Sequence, residues 1–243
     1  MKIGLVQWHI VWENPRENQE KIRALVENLP EKLDWLIFPE MTLTGFSLKK
    51  RNKEDSGDEF FSSLAKANNC WVTYGKVEAR YNVCVTLNRA GKQVASYCKR
   101  HLFSLLGENR YHLAGKKLVS FLLDGFRVSP AICYDLRFPA QFFQQGEKTD
   151  IFLIIAHWPL ARIDHWLTLL KARAIENLCY VVGVNPMGMS PQGQAGGHSL
   201  VVDPEGKIVM DASRKEGIFI TTIDKELVWE TRKKWPFLKD RHR

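Results

Sequence analysis

LVSFLLDGFRVSPAICYDLRFP, residues 118–139, sets two apolar runs, Leu118–Leu123 and Phe126–Ile132, on either side of Asp124 and Gly125. Asp-Gly between β-type runs is a strong hairpin signal, because two-residue turns need positive φ at both positions. The spacing predicts paired strands, with Cys133 where the second one ends. Downstream, Pro139–Gln145 can start a helix and Ile151–Ile155 is a wholly apolar strand. Ile163–Leu178 carries apolar residues at helical spacing with Asp164 as its cap, and Tyr180–Val184 is another buried strand. His198–Val202 and Ile208–Met210 bracket Pro204–Gly206 as a hairpin, Ile218–Ile223 follows, and Asp224 can cap a last helix reaching Trp235.

Upstream, Trp71–Lys76, Asn82–Leu87 and Gln93–Tyr97 look like antiparallel sheet, with turn chemistry in Asn88–Gly91. Lys2–Trp8 reads as a strand, and Asn14, Pro15 and Glu17 supply a helix start for the stripe Ile22, Leu25, Val26, Leu29. Asp34–Phe38 is a short apolar strand halted at Pro39, which has no N–H for a continuing ladder. Glu40 is thereby left just past a strand end, where open α/β sheets put their chemistry. No linker, low-complexity tract or obvious internal repeat interrupts the alternation, so one domain over residues 1–243 is expected. Periodicity by itself supports a mixed α/β fold, two sheets with helices outside.

With 45% apolar and 26% charged residues in 243, the chain has a globular balance and enough length for a sizeable core. No apolar run approaches the roughly 20 residues of a membrane span, and MKIGLVQW lacks a signal-peptide layout, so a soluble, cytoplasmic protein is expected. Cys70, Cys84, Cys98, Cys133 and Cys179 are odd in number and widely spaced, indicating neither a disulfide framework nor a zinc site. The formal charge of +8 is dispersed, with modest excesses in Lys49–Lys53 and after Thr231, and no aromatic-interleaved patch accompanies it. Neither a nucleic-acid nor a membrane partner is expected.

Three segments each leave a reactive side chain right after an apolar strand: FPEMTLTGF with Glu40, SYCKRHLF with Lys99 and AICYDLRFP with Cys133. A free thiol titrates near about 8.5, so a nucleophilic cysteine needs a base or a cation nearby. Glu40 and Lys99 are one of each. Singly, each has a plain alternative: a small core cysteine, a solvated loop carboxylate, an exposed strand-end ammonium. Cys70, Cys84, Cys98 and Cys179 keep the core reading.

The ordered set of PE followed by TGF, K followed by RHLF, and CYDLRFP resembles the nitrilase superfamily of carbon-nitrogen hydrolases. ARAIEN at Ala172–Asn177, GHSLVVDPEG from Gly197 and the WPFLKDRH tail extend the likeness over nearly the whole chain, nearest to the omega-amidase branch, which deamidates 2-oxo acid amides such as 2-oxoglutaramate. The resemblance implies a four-layer α-β-β-α sandwich, dimerised through helices and a tail at about residues 224–243. It also implies Cys133 as nucleophile, Glu40 as general base and acid, and Lys99 as the cation on the tetrahedral oxygen. Glu108, in GENRYHLAG, matches the family's second glutamate; its plain alternative is a polar loop side chain.

The implied reaction passes through a thioester on Cys133 with release of ammonia, the oxyanion being held by Lys99 and the Tyr134 backbone N–H. It needs no metal or organic cofactor. Amides of this branch are small and anionic, so Arg137, Arg110 and Arg173 are available for a distant carboxylate, although Arg137 has a competing role in pairing with Asp135. Tyr111, His157 and Trp158 are candidate pocket walls whose alternative is a core position. Two departures touch substrate choice: AHWP at Ala156–Pro159 has histidine where relatives usually show asparagine, and NPMG from Asn185 replaces a stretch that commonly carries arginine. Another amide, an N-carbamoyl compound or a nitrile remains a rival substrate, and a catalytically idle scaffold is the rival from another class.

Overall fold

Asn14 opens the first helix through its side chain, which accepts from the Glu17 N–H, and Pro15 occupies the first turn, where a missing donor costs nothing. The computed structural model describes residues 1–48 and 57–241, so the basic run Lys49–Lys53 lies outside the described residues. Chain order begins β1 (Lys2–Gln7), α1 (Pro15–Glu27), β2 (Trp35–Ile37), α2 (Asp58–Asn68), β3 (Trp71–Glu78), β4 (Tyr81–Leu87), β5 (Gln93–Cys98) and α3 (Glu108–Tyr111). It continues with β6 (Phe121–Leu123), β7 (Phe126–Ile132), α4 (Pro139–Gly146), β8 (Ile151–Ile155), α5 (Ile163–Asn177) and β9 (Tyr180–Val184). Then come β10 (Met187–Ser190), β11 (Gly193–Gly196), β12 (Leu200–Val202), β13 (Ile208–Asp211), β14 (Gly217–Thr222) and α6 (Lys225–Lys234).

Two six-stranded sheets result, ordered β14-β1-β2-β3-β4-β5 and β6-β7-β8-β9-β12-β13. Each has a parallel centre, β1-β2-β3 in one and β7-β8-β9 in the other, flanked by antiparallel strands in the same order of directions. The sheets are therefore a backbone repeat that the side chains do not betray. Inward residues of both sheets, among them Leu5, Ile37, Val128, Leu153 and Val182, share one core. The outward faces bury against helices: Ile22 and Val26 of α1 and Phe61 and Leu64 of α2 on one side, Phe142 of α4 and Trp166 and Leu170 of α5 on the other. These are the four layers of an α-β-β-α sandwich.

Asp124 and Gly125 both take positive φ, 45° and 85°, and join Leu123 to Phe126 as the Asp-Gly signal requires. Leu118–Ser120 stay outside the strand, because the preceding chain is drawn to β5, where the Gly115 N–H donates to the Lys99 carbonyl at 2.7 Å. Asp164 lies in the first turn of α5 and does not cap it; Arg162 holds that position with no side-chain bond. Helix α2 and the hairpin β10-β11 were not among the expected elements. The signal for α2 was present in Phe61, Leu64 and Ala65, on one helical face and ending at Asn69, which adopts the left-handed φ of 48° common at helix ends. Asp224 caps α6 by accepting from the Glu226 N–H. The tail folds back on its own chain through the Arg232 guanidinium, which donates to the carbonyls of Gly146, Thr149 and Asn177. Leu227 is packed against the core, whereas Trp229, Trp235 and Phe237 are exposed. Among the described residues no helix is long and apolar enough to cross a membrane.

Candidate active site

Four of the side chains singled out leave the carboxyl end of a strand, Glu40 after β2, Lys99 after β5, Cys133 after β7 and His157 after β8, whereas Glu108 opens α3. The Glu40 turn runs so close to β3 that a Cβ on Gly75 would stand 2.5 Å from the Met41 nitrogen and 2.8 Å from the Glu40 Cα, both backbone atoms. Only glycine admits that approach. Cys133 has a φ of 46°, an uncommon conformation for a residue with a side chain, at the start of the tight turn Cys133–Arg137.

Lys99, Glu40 and Glu108 are fully buried and meet directly. The Lys99 Nζ donates to Glu40 Oε1 at 2.8 Å and to Glu108 Oε1 at 3.1 Å. The Asn82 amide donates to the same two oxygens, at 2.7 and 3.0 Å. Glu40 Oε2 accepts from the His157 backbone N–H at 2.8 Å, and Glu108 Oε2 from that of Phe103 at 2.6 Å. Burial alone would push the Lys99 ammonium down; Glu40, Glu108 and the nearby Cys133 sulfur outweigh it and hold the group well above an ordinary lysine. Sequence reasoning missed Asn82, whose one signal was an amide at the head of an apolar strand.

Cys133 Sγ lies 3.9 Å from the His157 carbonyl, so a single peptide residue touches Glu40 through its N–H and the thiol through its C=O. Burial and then the Glu40 charge push the Cys133 thiol well up, with Lys99 and the His157 carbonyl pulling the other way. The arrangement can generate a thiolate by passing the thiol proton to a neighbouring base.

Asp135, also fully buried, ties the lysine strand to the cysteine turn. Its carboxylate accepts from Tyr97 Oη at 2.7 Å, from the Ile132 N–H at 3.0 Å and from the His101 N–H and Nδ1 at 2.8 Å each. The pairing of Arg137 with Asp135 is thus corrected: those lone pairs are occupied, and Arg137 instead lies over the Trp158 ring at 5.0 Å and donates to His165 Nδ1 at 3.1 Å.

A small cavity opens above Cys133 and Lys99. Tyr134, Arg137, His157 and Trp158 line it, as does Arg162, which was not singled out. Tyr111 is corrected: it ends α3 and is 53% exposed, away from the cavity wall. Arg173 is no substrate cation either, since it is buried and donates to Glu176 and the Leu136 carbonyl. Arg110, also on α3, is exposed and outside the lining. Asn185 braces the wall: its side chain accepts from the Trp158 N–H and donates to the carbonyls of Trp158 and Gly197.

A family profile described as carbon-nitrogen hydrolase matches residues 2–233. The chain belongs to the carbon-nitrogen hydrolase family. A 2-oxoglutaramate amidase of Bacillus subtilis (strain 168) is 35% identical to this carbon-nitrogen hydrolase, the match covering 98% of this chain and 96% of that one. Omega-amidase YafV of Escherichia coli (strain K12) is 33% identical over 99% and 96%. The crystal structure of XC1258 from Xanthomonas campestris, a CN-hydrolase superfamily protein with an arsenic adduct in its active site, superposes with a TM-score of 0.93 at 30% identity, covering 100% of this chain and 97% of that one.

One cavity residue should make this hydrolase acid-sensitive. Among the described residues neither buried ring nitrogen of His157 has a hydrogen-bond partner, and burial holds its pKa down to about 4, the Glu40 charge opposing only in part. Between that value and the ordinary 6.5 the unfolded chain binds a proton that the folded chain refuses, so stability is complete above 6.5 and falls as pH drops toward 4. The loss from this ring at pH 4.5 should be on the order of 2–3 kcal/mol. Urea midpoints at pH 7 and pH 4.5 should therefore diverge more in the wild type than in His157→Asn. Equal divergence would count against a neutral buried ring.

Proposed function

We propose that this chain hydrolyses a small carboxamide, best the omega-amide of a 2-oxo acid of the 2-oxoglutaramate kind, through a thioester on Cys133 with release of ammonia. The observation that carries the reading is the buried cluster of two carboxylates and one ammonium beside a thiol, at the base of a small cavity. Glu40 takes the thiol proton as sulfur bonds to the amide carbon. The electron pair displaced from the carbonyl rests on oxygen, held by Lys99 and the Tyr134 N–H. As the pair returns, the C–N bond breaks, Glu40 passes its proton to the departing nitrogen and ammonia leaves. Water then attacks the thioester, giving one proton to Glu40; the S–C bond breaks, the acid departs and the proton returns to sulfur.

Glu108 and Asn82 share Glu40 Oε1 or its lysine partner, so they act as positioning residues that fix where the base and the ammonium stand. The relatives named 2-oxoglutaramate amidase and omega-amidase favour the 2-oxo acid amide over the rival substrates. The homodimer that the resemblance implies and the cytoplasmic location expected from composition stay part of this proposal, with the exposed Trp229, Trp235 and Phe237 as the face for a second copy.

Product analysis tests the substrate. Purified protein offered 2-oxoglutaramate, an N-carbamoyl amino acid and a nitrile of similar size should release ammonia from the first at least about tenfold faster in kcat/KM. Faster turnover of the carbamoyl compound or the nitrile would overturn the substrate and keep the reaction class, while turnover of none would favour the idle scaffold.

A further inference from the structure

Asp135 is a fully buried carboxylate that no lysine or arginine among the described residues pairs with. Burying such a charge is costly unless its lone pairs are answered, and the groups that answer it here flank the two reacting side chains. Oδ2 accepts from the Ile132 N–H at 3.0 Å, one position before Cys133, and from Tyr97 Oη at 2.7 Å, two positions before Lys99. Oδ1 accepts from both the backbone N–H and the ring Nδ1 of His101, two positions after Lys99, at 2.8 Å each. One side chain therefore fixes the segment that carries the ammonium against the turn that carries the sulfur.

His101 closes this clamp at a second point. Its ring stacks on Phe138, with centroids 3.9 Å apart and planes at 11°, and Phe138 closes the turn Cys133–Arg137. Tyr134 packs edge-on against the same Phe138 ring at 5.1 Å and against Phe103 at 4.9 Å. The turn needs such restraint, because a residue with a side chain keeps the φ of 46° found at Cys133 only where its surroundings impose it. His101 itself is not among the residues that line the cavity.

We propose that His101 is a positioning residue for the reaction: through Asp135 and Phe138 it sets the two oxyanion donors, the Tyr134 N–H and the Lys99 ammonium, against the Cys133 sulfur, and so serves kcat and not substrate affinity. The inference rests on the amidase reading above and adds to it a residue outside both the cavity and the buried cluster of charges. An ionised carboxylate only accepts, so Nδ1 carries a ring proton, and the bond is lost to any side chain without a donor at that place. A donor displaced by about 1 Å from where the oxyanion forms can cost ~10²-fold in rate.

Asparagine and glutamine separate the two ring positions, since the Asn amide N–H stands near Nδ1 and that of Gln near Nε2. Kinetics on 2-oxoglutaramate should show kcat lowered by ~10²-fold in His101→Leu and His101→Gln and by less than about tenfold in His101→Asn, with KM within about threefold of wild type throughout. The aldehyde in which hydrogen replaces the amide nitrogen of that substrate reads the oxyanion directly. Sulfur bonds to its carbonyl carbon, the thiol proton passes to Glu40 and the carbonyl electron pair moves to oxygen, with no group to leave. Its dissociation constant, measured by calorimetry, should rise about as much as kcat falls. Wild-type kcat or wild-type aldehyde affinity in His101→Gln, a rise in KM that accounts for the loss, or equal losses in His101→Asn and His101→Gln would overturn the inference. Thermal melts check the fold: a role in stability alone lowers the melting temperature and leaves kcat and aldehyde affinity of the folded protein unchanged. If His101→Leu does not fold, the Asn and Gln variants decide. Wild-type protein that binds the aldehyde but releases no ammonia would sink the amidase reading, and the aldehyde comparison alone would then decide this inference; no aldehyde binding by the wild type would overturn it.

Discussion

Cys133→Ala should lower ammonia release by at least about 10⁴-fold and leave no acyl adduct on the protein, because the proposed reaction stores its acyl group on that sulfur. The other thiols cannot take over. Burial pushes Cys70 up to about 11 and Cys179 up to about 12, and raises Cys84 further, while all three are packed in the core. Cys98 is less enclosed but also pushed up, mainly by burial, and it stands on the strand before Lys99. Burial pushes the Cys133 thiol up as well, yet of the five cysteines it alone lines the cavity, with Glu40 and Lys99 as neighbours. Intact-mass spectrometry of protein mixed with an amide checks this: the adduct should map to Cys133 in the wild type and vanish in the variant. An adduct on any other cysteine, or unchanged turnover without Cys133, would end the thioester mechanism.

Lys99→Met should damage stability as much as activity. The Lys99 side chain is fully buried between the carboxylates of Glu40 and Glu108, so an isosteric apolar side chain strands two negative charges with only the Asn82 amide and two backbone N–H groups to answer them. Breaking a buried pair from one side costs about 3–5 kcal/mol, which for a chain of this size lowers the melting temperature by roughly 10 °C. Loss of the oxyanion cation should separately reduce kcat by about 10²- to 10³-fold. Adding Glu108→Gln to Lys99→Met should restore part of the stability without restoring turnover, since it removes a stranded charge but supplies no cation. Thermal melts and single-turnover kinetics on the wild type and the two variants read both effects. A Lys99→Met protein that melts with the wild type would mean that the two carboxylates do not depend on the ammonium.

How much of this was written locally can be judged residue by residue. Asn14, Asp224 and the Asp124-Gly125 turn were legible because caps and two-residue turns are decided by groups within four positions of one another. Pro39 ended β2 and put Glu40 at a strand end for an equally local reason. Asp164 misled because a carboxylate in the first helical turn carries the same composition signal as a cap one or two positions earlier. Tyr111 misled because an aromatic at the end of a short helix carries no mark of which way its segment faces.

The chain order of residue types alone determined the strand ends and the three reactive side chains that follow them, since hydrophobic period and turn chemistry act over a few residues. Only the tertiary structure decided that Lys99 bonds to Glu40 across 59 positions and that Glu40 reaches the His157 N–H across 117. It also decided that Asp135 serves Tyr97 and His101 rather than Arg137, and that Arg162 instead of Arg173 faces the cavity. The physical reason is that charge pairing and burial depend on distance through space, which becomes fixed when two sheets close on one another, whereas backbone preference is settled before any sheet exists.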